Sequence, residues 1–350
     1  MDFGLYLTCY YGPGDVDEAA IFRGAVESAQ VAEEGGFTSI SVPEHHFADY
    51  LTIPSPLMLS VKVAAATKSV RIITAVVVLP FYEITRLAGE ITLADHLSDG
   101  RIEIGLGRGA FRYEFDHFGI DVATSRPRFD EGVELLDRLL TEDAVTHEGT
   151  FYNIAGQTTI MPRPLTTPRP PFWIATVSEE GITQAVREGH NLLTTPLRSG
   201  FEVAINQADW FLKARAEHGR PDQKHHMLRN VYVSKDRKDL EEKTRMLHDN
   251  HRRYMNLFTT AGTIENGRTV PIDVDMDAEA AAKNVIFGTP DEVIEIVKRH
   301  EELGIEGLQC NMQFGASQAD ILSSIELFAT EVMPEFTGKG SAAVTAGHGA

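Results

Sequence analysis

Cysteine is nearly absent from this chain: Cys9 and Cys310 are the only two in 350 residues, and each sits in an apolar, strand-like run. Two thiols cannot supply a disulfide scaffold or a cysteine-built zinc site, so both are expected to be reduced core residues. Basic charge is scarce as well. With 32 Lys and Arg against 51 Asp and Glu, the formal net charge is −19, and such a field repels nucleic acid and anionic membrane surfaces. No nucleic-acid partner is expected. No apolar run approaches the roughly 20 residues needed to span a bilayer, and Met1-Asp2-Phe3-Gly4 lacks the basic and apolar regions of a secretory leader. The expectation is a cytoplasmic protein with no membrane association. Internal repeats are lacking too.

Hydrophobic residues make up 43% of the chain, enough for a full core, and no break in composition divides it. Strand-like runs alternate with helical ones. The candidate strands are Phe3 to Thr8, Thr38 to Val42, Arg71 to Val78, Ile102 to Leu106, Phe172 to Thr176, Leu192 to Thr195, Met227 to Val233 and Gly307 to Met312. Between them lie amphipathic segments such as Ala20 to Glu34, Ile84 to His96, Phe129 to Leu140 and Asp291 to Leu303. The last follows Thr289-Pro290-Asp291-Glu292, which offers an N-cap, proline at the first helical position and glutamate three residues after the cap. Eight strands alternating with helices predict an α/β fold, a (β/α)₈ TIM barrel with apolar residues inside and functional ones on its βα loops.

Three stretches depart from the alternation. Ala144 to Pro171 is rich in Thr, Gly and Pro and contains the strand-like His147 to Tyr152, which predicts a hairpin insertion. Thr260 to Lys283 reads as a mobile lid or as an ordinary surface loop. A single barrel domain is expected over 1–335, followed by a disordered tail over 336–350 whose small, polar residues are plainest from Gly338 to Ala350.

Chemistry gathers at strand ends. Phe37, Ile40 and Val42 mark a buried strand that delivers Glu44, His45 and His46 to one mouth of the sheet. A histidine there moves protons near neutral pH, and a carboxylate beside it can fix its tautomer. Alternation along the chain sends His46 away from His45, and Glu44 serves to orient a histidine or to pair with an arginine. A second strand ends in Gly105-Leu106-Gly107-Arg108-Gly109, either an anion-binding turn or a surface salt-bridge site. It is not a dinucleotide fingerprint, because a loop with Arg112, Tyr113 and Glu114 is expected after it instead of a helix. A third strand runs into Ser178, which reads equally as a plain helix N-cap and as a phosphate contact.

Taken in order, Phe3-Gly4-Leu5, Glu44-His45-His46-Phe47, Ala75-Val76-Val77-Val78-Leu79-Pro80, Leu93 to Arg101, Gly107-Arg108-Gly109, Phe115 to Gly119 and Gly288-Thr289-Pro290 resemble the bacterial luciferase-like flavin-dependent monooxygenases, the luciferase α subunit in particular. The similarity runs from Phe3 to about Pro334 and loses clarity between Ser199 and Asn284. The resemblance implies a TIM barrel that takes reduced FMN as co-substrate from a separate NAD(P)H:flavin reductase, with molecular oxygen adding at the flavin C4a carbon. It implies a homodimer and a small organic substrate, an aldehyde or ketone. It carries to His45 the catalytic histidine role and to Arg108 and Ser178 contacts with the flavin phosphate, and Glu44, beside His45 in the chain, is a second catalytic candidate. To Ala75-Val76 it carries a non-proline cis peptide beneath the ring. Where light-emitting members place a cysteine, this chain has Gly107, which is expected to leave room for a different substrate.

Other readings stay open at this point. A metal-dependent hydrolase could use Glu44, His45 and His46, but adjacent residues of an extended chain point apart and the last strand adds no Asp or His, so no metal is expected. A deazaflavin- or flavin-dependent hydride transferase, or a non-catalytic flavin-binding protein, would share the same barrel.

Overall fold

The computed structural model describes residues 1–12, 17–196, 200–260 and 262–337. Eight strands form the barrel: β1 (Asp2–Tyr6), β2 (Ser39–Val42), β3 (Arg71–Thr74), β4 (Ile102–Gly107), β5 (Phe172–Ala175), β6 (Asn191–Thr194), β7 (His225–Val233) and β8 (Gly307–Asn311). Each pairs in parallel with the next, and β8 returns to β1 with Asp2 opposite Gly307 and Tyr6 opposite Asn311. The sheet is therefore closed, and the C-terminal strand ends all open on one face.

Side-chain alternation splits the strands into two environments. Outward residues such as Phe3, Leu5, Ile40 and Val42 pack with Ala25, Ala29 and Ala32 of the helix Glu18–Glu34, whose buried positions are all small and let it lie close to the sheet. Asp17 starts that helix by accepting the amide of Ala20. Inward residues are more polar than the expected apolar filling. Gln309 of β8 donates to Ser39 of β2 at 3.1 Å and to His226 Nδ1 of β7 at 2.9 Å. Trp173 of β5 lies 4.5 Å from the His226 ring and donates to Glu103 of β4. Gln309 with Ser39, and Trp173 with His226, join strands that do not pair with one another and so can meet only inside the barrel; most of these polar atoms are hydrogen-bonded, whereas His226 Nε2 has no partner.

The departures from alternation resolve in detail. Val145–Glu148 and Asn153–Thr158 form the expected antiparallel hairpin. The run expected as one strand from Arg71 to Val78 is broken after Thr74, and only Val77–Val78 resumes pairing, beside Leu106 and Gly107 of β4. Within Thr260 to Lys283 lie a small hairpin, Ile264–Glu265 with Arg268–Thr269, and the helix Ala278–Lys283. This segment is tied to the turn after β2: Asp49 donates its amide to Gly267 O and accepts that of Thr269. Phe336 is buried against Phe3 at 6.0 Å, so packing continues past the boundary drawn at 335. The tail over 338–350 lies outside the described residues. Thr289 and Glu292 form the expected capping box on the helix Pro290–Glu301.

His190, His225, His226 and His300 are buried in this framework. Burial, helped by nearby arginines, pushes His190 and His300 down to about 4 and His225 down to about 3, and holds His226 well below its usual value. In the unfolded chain these rings take up protons near pH ~6.5. Below that pH the unfolded state binds more protons than the folded one, so stability falls as pH falls until the folded-state values are reached. Each ring contributes at most about 1.4 kcal/mol per pH unit in that window. The thermal midpoint is expected to drop steadily from pH 7 to pH 5, with a shallower slope in His300→Gln. A midpoint independent of pH across that range would contradict neutral burial of these rings.

Candidate active site

A cavity of about 1140 Å³ opens at the C-terminal ends of the strands and is lined by every site residue singled out from the sequence: Glu44, His45, Ala75, Val76, Gly107, Arg108 and Ser178. The adjacent histidines are handled by two different carboxylates. His45 Nδ1 lies 2.9 Å from Glu114 Oε1, and the same oxygen accepts the backbone amide of His46 at 2.7 Å. His46 turns the other way, its Nε2 2.8 Å from Glu44 Oε1. Glu44 Oε2 accepts the Val78 amide and the Tyr82 hydroxyl, each at 2.9 Å. Glu44 thus orients His46 and the segment after β3, whereas the partner of His45 is Glu114. Burial raises the Glu44 carboxyl, partly offset by the hydrogen bonds from His46 and Val78, and burial together with Glu44 raises the Tyr82 hydroxyl.

Glu114 sits on a short helix, Arg112–Phe118, in place of the expected loop. The signal for it lay in Phe111, Phe115 and Phe118, spaced at three and four residues. Phe111 stacks on the His45 ring at 4.5 Å and 27°, and Phe115 is fully buried. A histidine that donates Nδ1–H to a buried carboxylate keeps Nε2 as the nitrogen available for proton exchange.

Ala75-Val76 is a cis peptide, and the Tyr6 hydroxyl donates to its Ala75 carbonyl at 3.2 Å. Gly107 faces this bond from β4. A Cβ on Gly107 would overlap Val76 Cγ2 and sit 3.3 Å from Val76 Cβ. The missing side chain at 107 is therefore filled by Val76, which corrects the expectation that glycine leaves space for substrate.

Beyond β5, Ser178 caps the helix Glu179–Arg187 by accepting the Gly181 amide at 3.2 Å. A Cβ on Gly181 would strike Thr176 Oγ1, so glycine here keeps two hydroxyls and the helix N-terminus within one recess. Arg108 is exposed on the rim of the same cavity. Arg126, which carries no motif signal in the sequence, reaches across from the helix Ser125–Thr141 to Gln184 and also pairs with Asp130. Glu179 and Glu180, the first residues of the capped helix, are both exposed. Hydroxyls, a helix N-terminus and guanidinium groups form a donor set suited to a phosphate monoester, so these residues fit the phosphate end of a flavin mononucleotide. Among the described residues, no group of three or more His, Cys, Asp or Glu is arranged to hold a metal ion.

The sequence model of the luciferase-like monooxygenases matches residues 1–307, and the chain belongs to that family. It is 29% identical over 347 residues to the oxygenase component of the flavin-dependent trigonelline monooxygenase of Acinetobacter baylyi, covering 96% of each chain. The crystal structure of the monooxygenase RslO1 from Streptomyces bottropensis superposes with a TM-score of 0.85 at 28% identity, over 96% of this chain and 100% of that one. The oxygenating constituent of 3,6-diketocamphane monooxygenase from Pseudomonas putida, solved with FMN, shares the fold with a TM-score of 0.80 at 20% identity, over 96% and 99% of the two chains.

The complementarity of Val76 and Gly107 is open to a double-mutant cycle. Gly107→Ala alone is expected to destabilise the protein by about 1–3 kcal/mol through overpacking. Val76→Ala combined with Gly107→Ala should recover most of that loss in urea unfolding. Additive effects of the two changes would show that the side chains do not compete for one space.

Proposed function

We propose that this protein is the oxygenase component of a two-component monooxygenase. In this reading it binds reduced FMN delivered by a separate NAD(P)H:flavin reductase and uses molecular oxygen to oxygenate a small aldehyde or ketone. The observation that carries the reading is the convergence, in one cavity, of the His45–Glu114 pair, the Ala75-Val76 bond and the recess of Thr176, Ser178 and Gly181 with Arg108 on its rim. FMN, when bound in reduced form, supplies the electrons and the C4a carbon at which oxygen is activated.

The protein's own part follows from its residues. Arg108 and Ser178, with Thr176 and Arg126, would hold the phosphate, and Ala75-Val76 would line the part of the cavity that takes the ring. His45 takes or gives a proton at Nε2 while Glu114 holds the ring from Nδ1. Glu44 acts at one remove, through His46, Val78 and Tyr82. A single barrel domain carries the whole site. A cytoplasmic homodimer suits two further features: Cys9 and Cys310 are unpaired and buried, and Met58, Leu93 and Leu97 are exposed apolar residues on the neighbouring helices Pro56–Ala66 and Ile84–Leu97.

The test is anaerobic titration with reduced FMN, reduced riboflavin and the deazaflavin F420, followed by mixing with oxygenated buffer while flavin absorbance is recorded. FMN is expected to bind and to reoxidise more slowly than free reduced FMN. Arg108→Ala should weaken FMN roughly 10- to 100-fold, the loss of charge-assisted phosphate bonds worth about 1.5–3 kcal/mol, with little change for riboflavin. Preference for F420 would favour the hydride-transfer reading. Equal losses for FMN and riboflavin would remove Arg108 from the phosphate.

A further inference from the structure

One wall of the cavity is built from aromatic rings. Phe111, which stacks on His45, meets Phe258 edge-on at 4.9 Å and 89°. Tyr254 lies 4.5 Å from Phe258 and 5.1 Å from Tyr50. All four rings line the cavity together with His45. Tyr254 and Phe258 come from the helix Arg237–Thr259, which turns Leu247, Asn250, Tyr254 and Phe258 toward the cavity at the spacing of one helix face. Phe258 is 39% exposed, so its ring is not consumed by the core.

Charge is distributed to match. Among the described residues, apart from Glu44, Arg108 and Arg169, the Asp, Glu, Lys and Arg residues lining the cavity come from the helix Ser125–Thr141 or from Glu188 at the end of Glu179–Arg187. None comes from the helix that carries the aromatic wall. Glu44 is already committed to His46, Val78 and Tyr82. The polar groups near the wall are His251 of the same helix and the amides Asn250, Asn284 and the pair Asn311 and Asn230, whose side chains bond at 2.9 Å. Aromatic rings prefer a flat ring as partner, through offset-stacked or edge contacts worth more than the buried area alone, and amides supply donors and acceptors to ring oxygens.

We propose that the substrate is a flat, uncharged aromatic aldehyde or ketone, its ring held against Phe111, Tyr254 and Phe258 beside His45. This rests on the oxygenase reading and narrows its substrate class. An aliphatic aldehyde would use the same space without the rings.

The experiment is calorimetric titration of a matched pair, 2-naphthol and its saturated counterpart decahydro-2-naphthol. Both are titrated into the flavin-free protein and into protein saturated anaerobically with reduced FMN. In both forms 2-naphthol is expected to bind about three- to tenfold more tightly, the range set by aromatic pair contacts. Phe258→Leu, at a half-exposed position, and independently Tyr254→Leu should each remove most of that preference. Equal affinities for the pair, or a preference untouched by both variants, would overturn the proposal. A preference seen only without flavin would also overturn it, by giving the wall to the flavin ring. FMN titration of the wild-type protein is read separately: failure there sinks the flavin reading, whereas FMN binding without any naphthol preference sinks only the aromatic one.

Discussion

The buried carboxylate of Glu114 accepts two hydrogen bonds from consecutive residues, the His45 ring and the His46 amide, and the rest of the site is arranged around that pair. A buried carboxylate left without its donors costs more than the hydrogen bonds are worth when made, so the geometry is held by the penalty of breaking it. Because one oxygen fixes both a side chain and the following amide, His45 is set toward the cavity and His46 is turned from it. His46 then meets Glu44, and Glu44 holds Val78 and Tyr82. The loops after β2, β3 and β4 are joined by two carboxylates in this way. A displacement of any one strand end would be felt at the other two.

The barrel below has the opposite character. Its polar interior is tied by fixed partners, Gln309 with Ser39 and His226, and Trp173 with Glu103, with His226 Nε2 left unpartnered. Arg71, bonded to Glu103 and Asp2, joins β3 to β4 and β1. Such a network gives rigidity and leaves the cavity above as the place where polar groups meet a ligand. Placing reactive groups on loops over a rigid scaffold is what lets small changes such as Gly107 paired with Val76 tune the cavity without disturbing the strands.

Much of this was legible in the chain. Strand-like runs of four to eight residues ended near the observed strands, and Thr289-Pro290-Asp291-Glu292 announced its helix. His45, Arg108 and Ser178 stand out because each lies within three residues after a strand end. What was hidden depended on contacts across the sequence. Glu114 is 69 positions from His45, on a seven-residue helix too short for a strong periodic signal. Gly107 looked like an empty place because its neighbour in space, Val76, is remote in sequence. The aromatic wall escaped notice because the helix Arg237–Thr259 is mostly polar and its rings lie where the resemblance was least clear. Glu44 is nearest to His45 in the chain, yet the histidine it orients is His46, since adjacency along a turn does not fix which way a side chain points.

The central claim is that Glu114 sets the protonation pattern of His45, with the proton on Nδ1 and Nε2 free to exchange. The direct measurement is nitrogen NMR of the ¹⁵N-labelled imidazoles near neutral pH, with the His45 signals assigned by their loss in His45→Gln. A protonated Nδ1 and an unprotonated Nε2 are expected at His45, with a shift toward mixed tautomers in Glu114→Gln while the other histidine signals stay in place. A proton found on Nε2 with Nδ1 bare, or a His45 spectrum indifferent to Glu114→Gln, would contradict it.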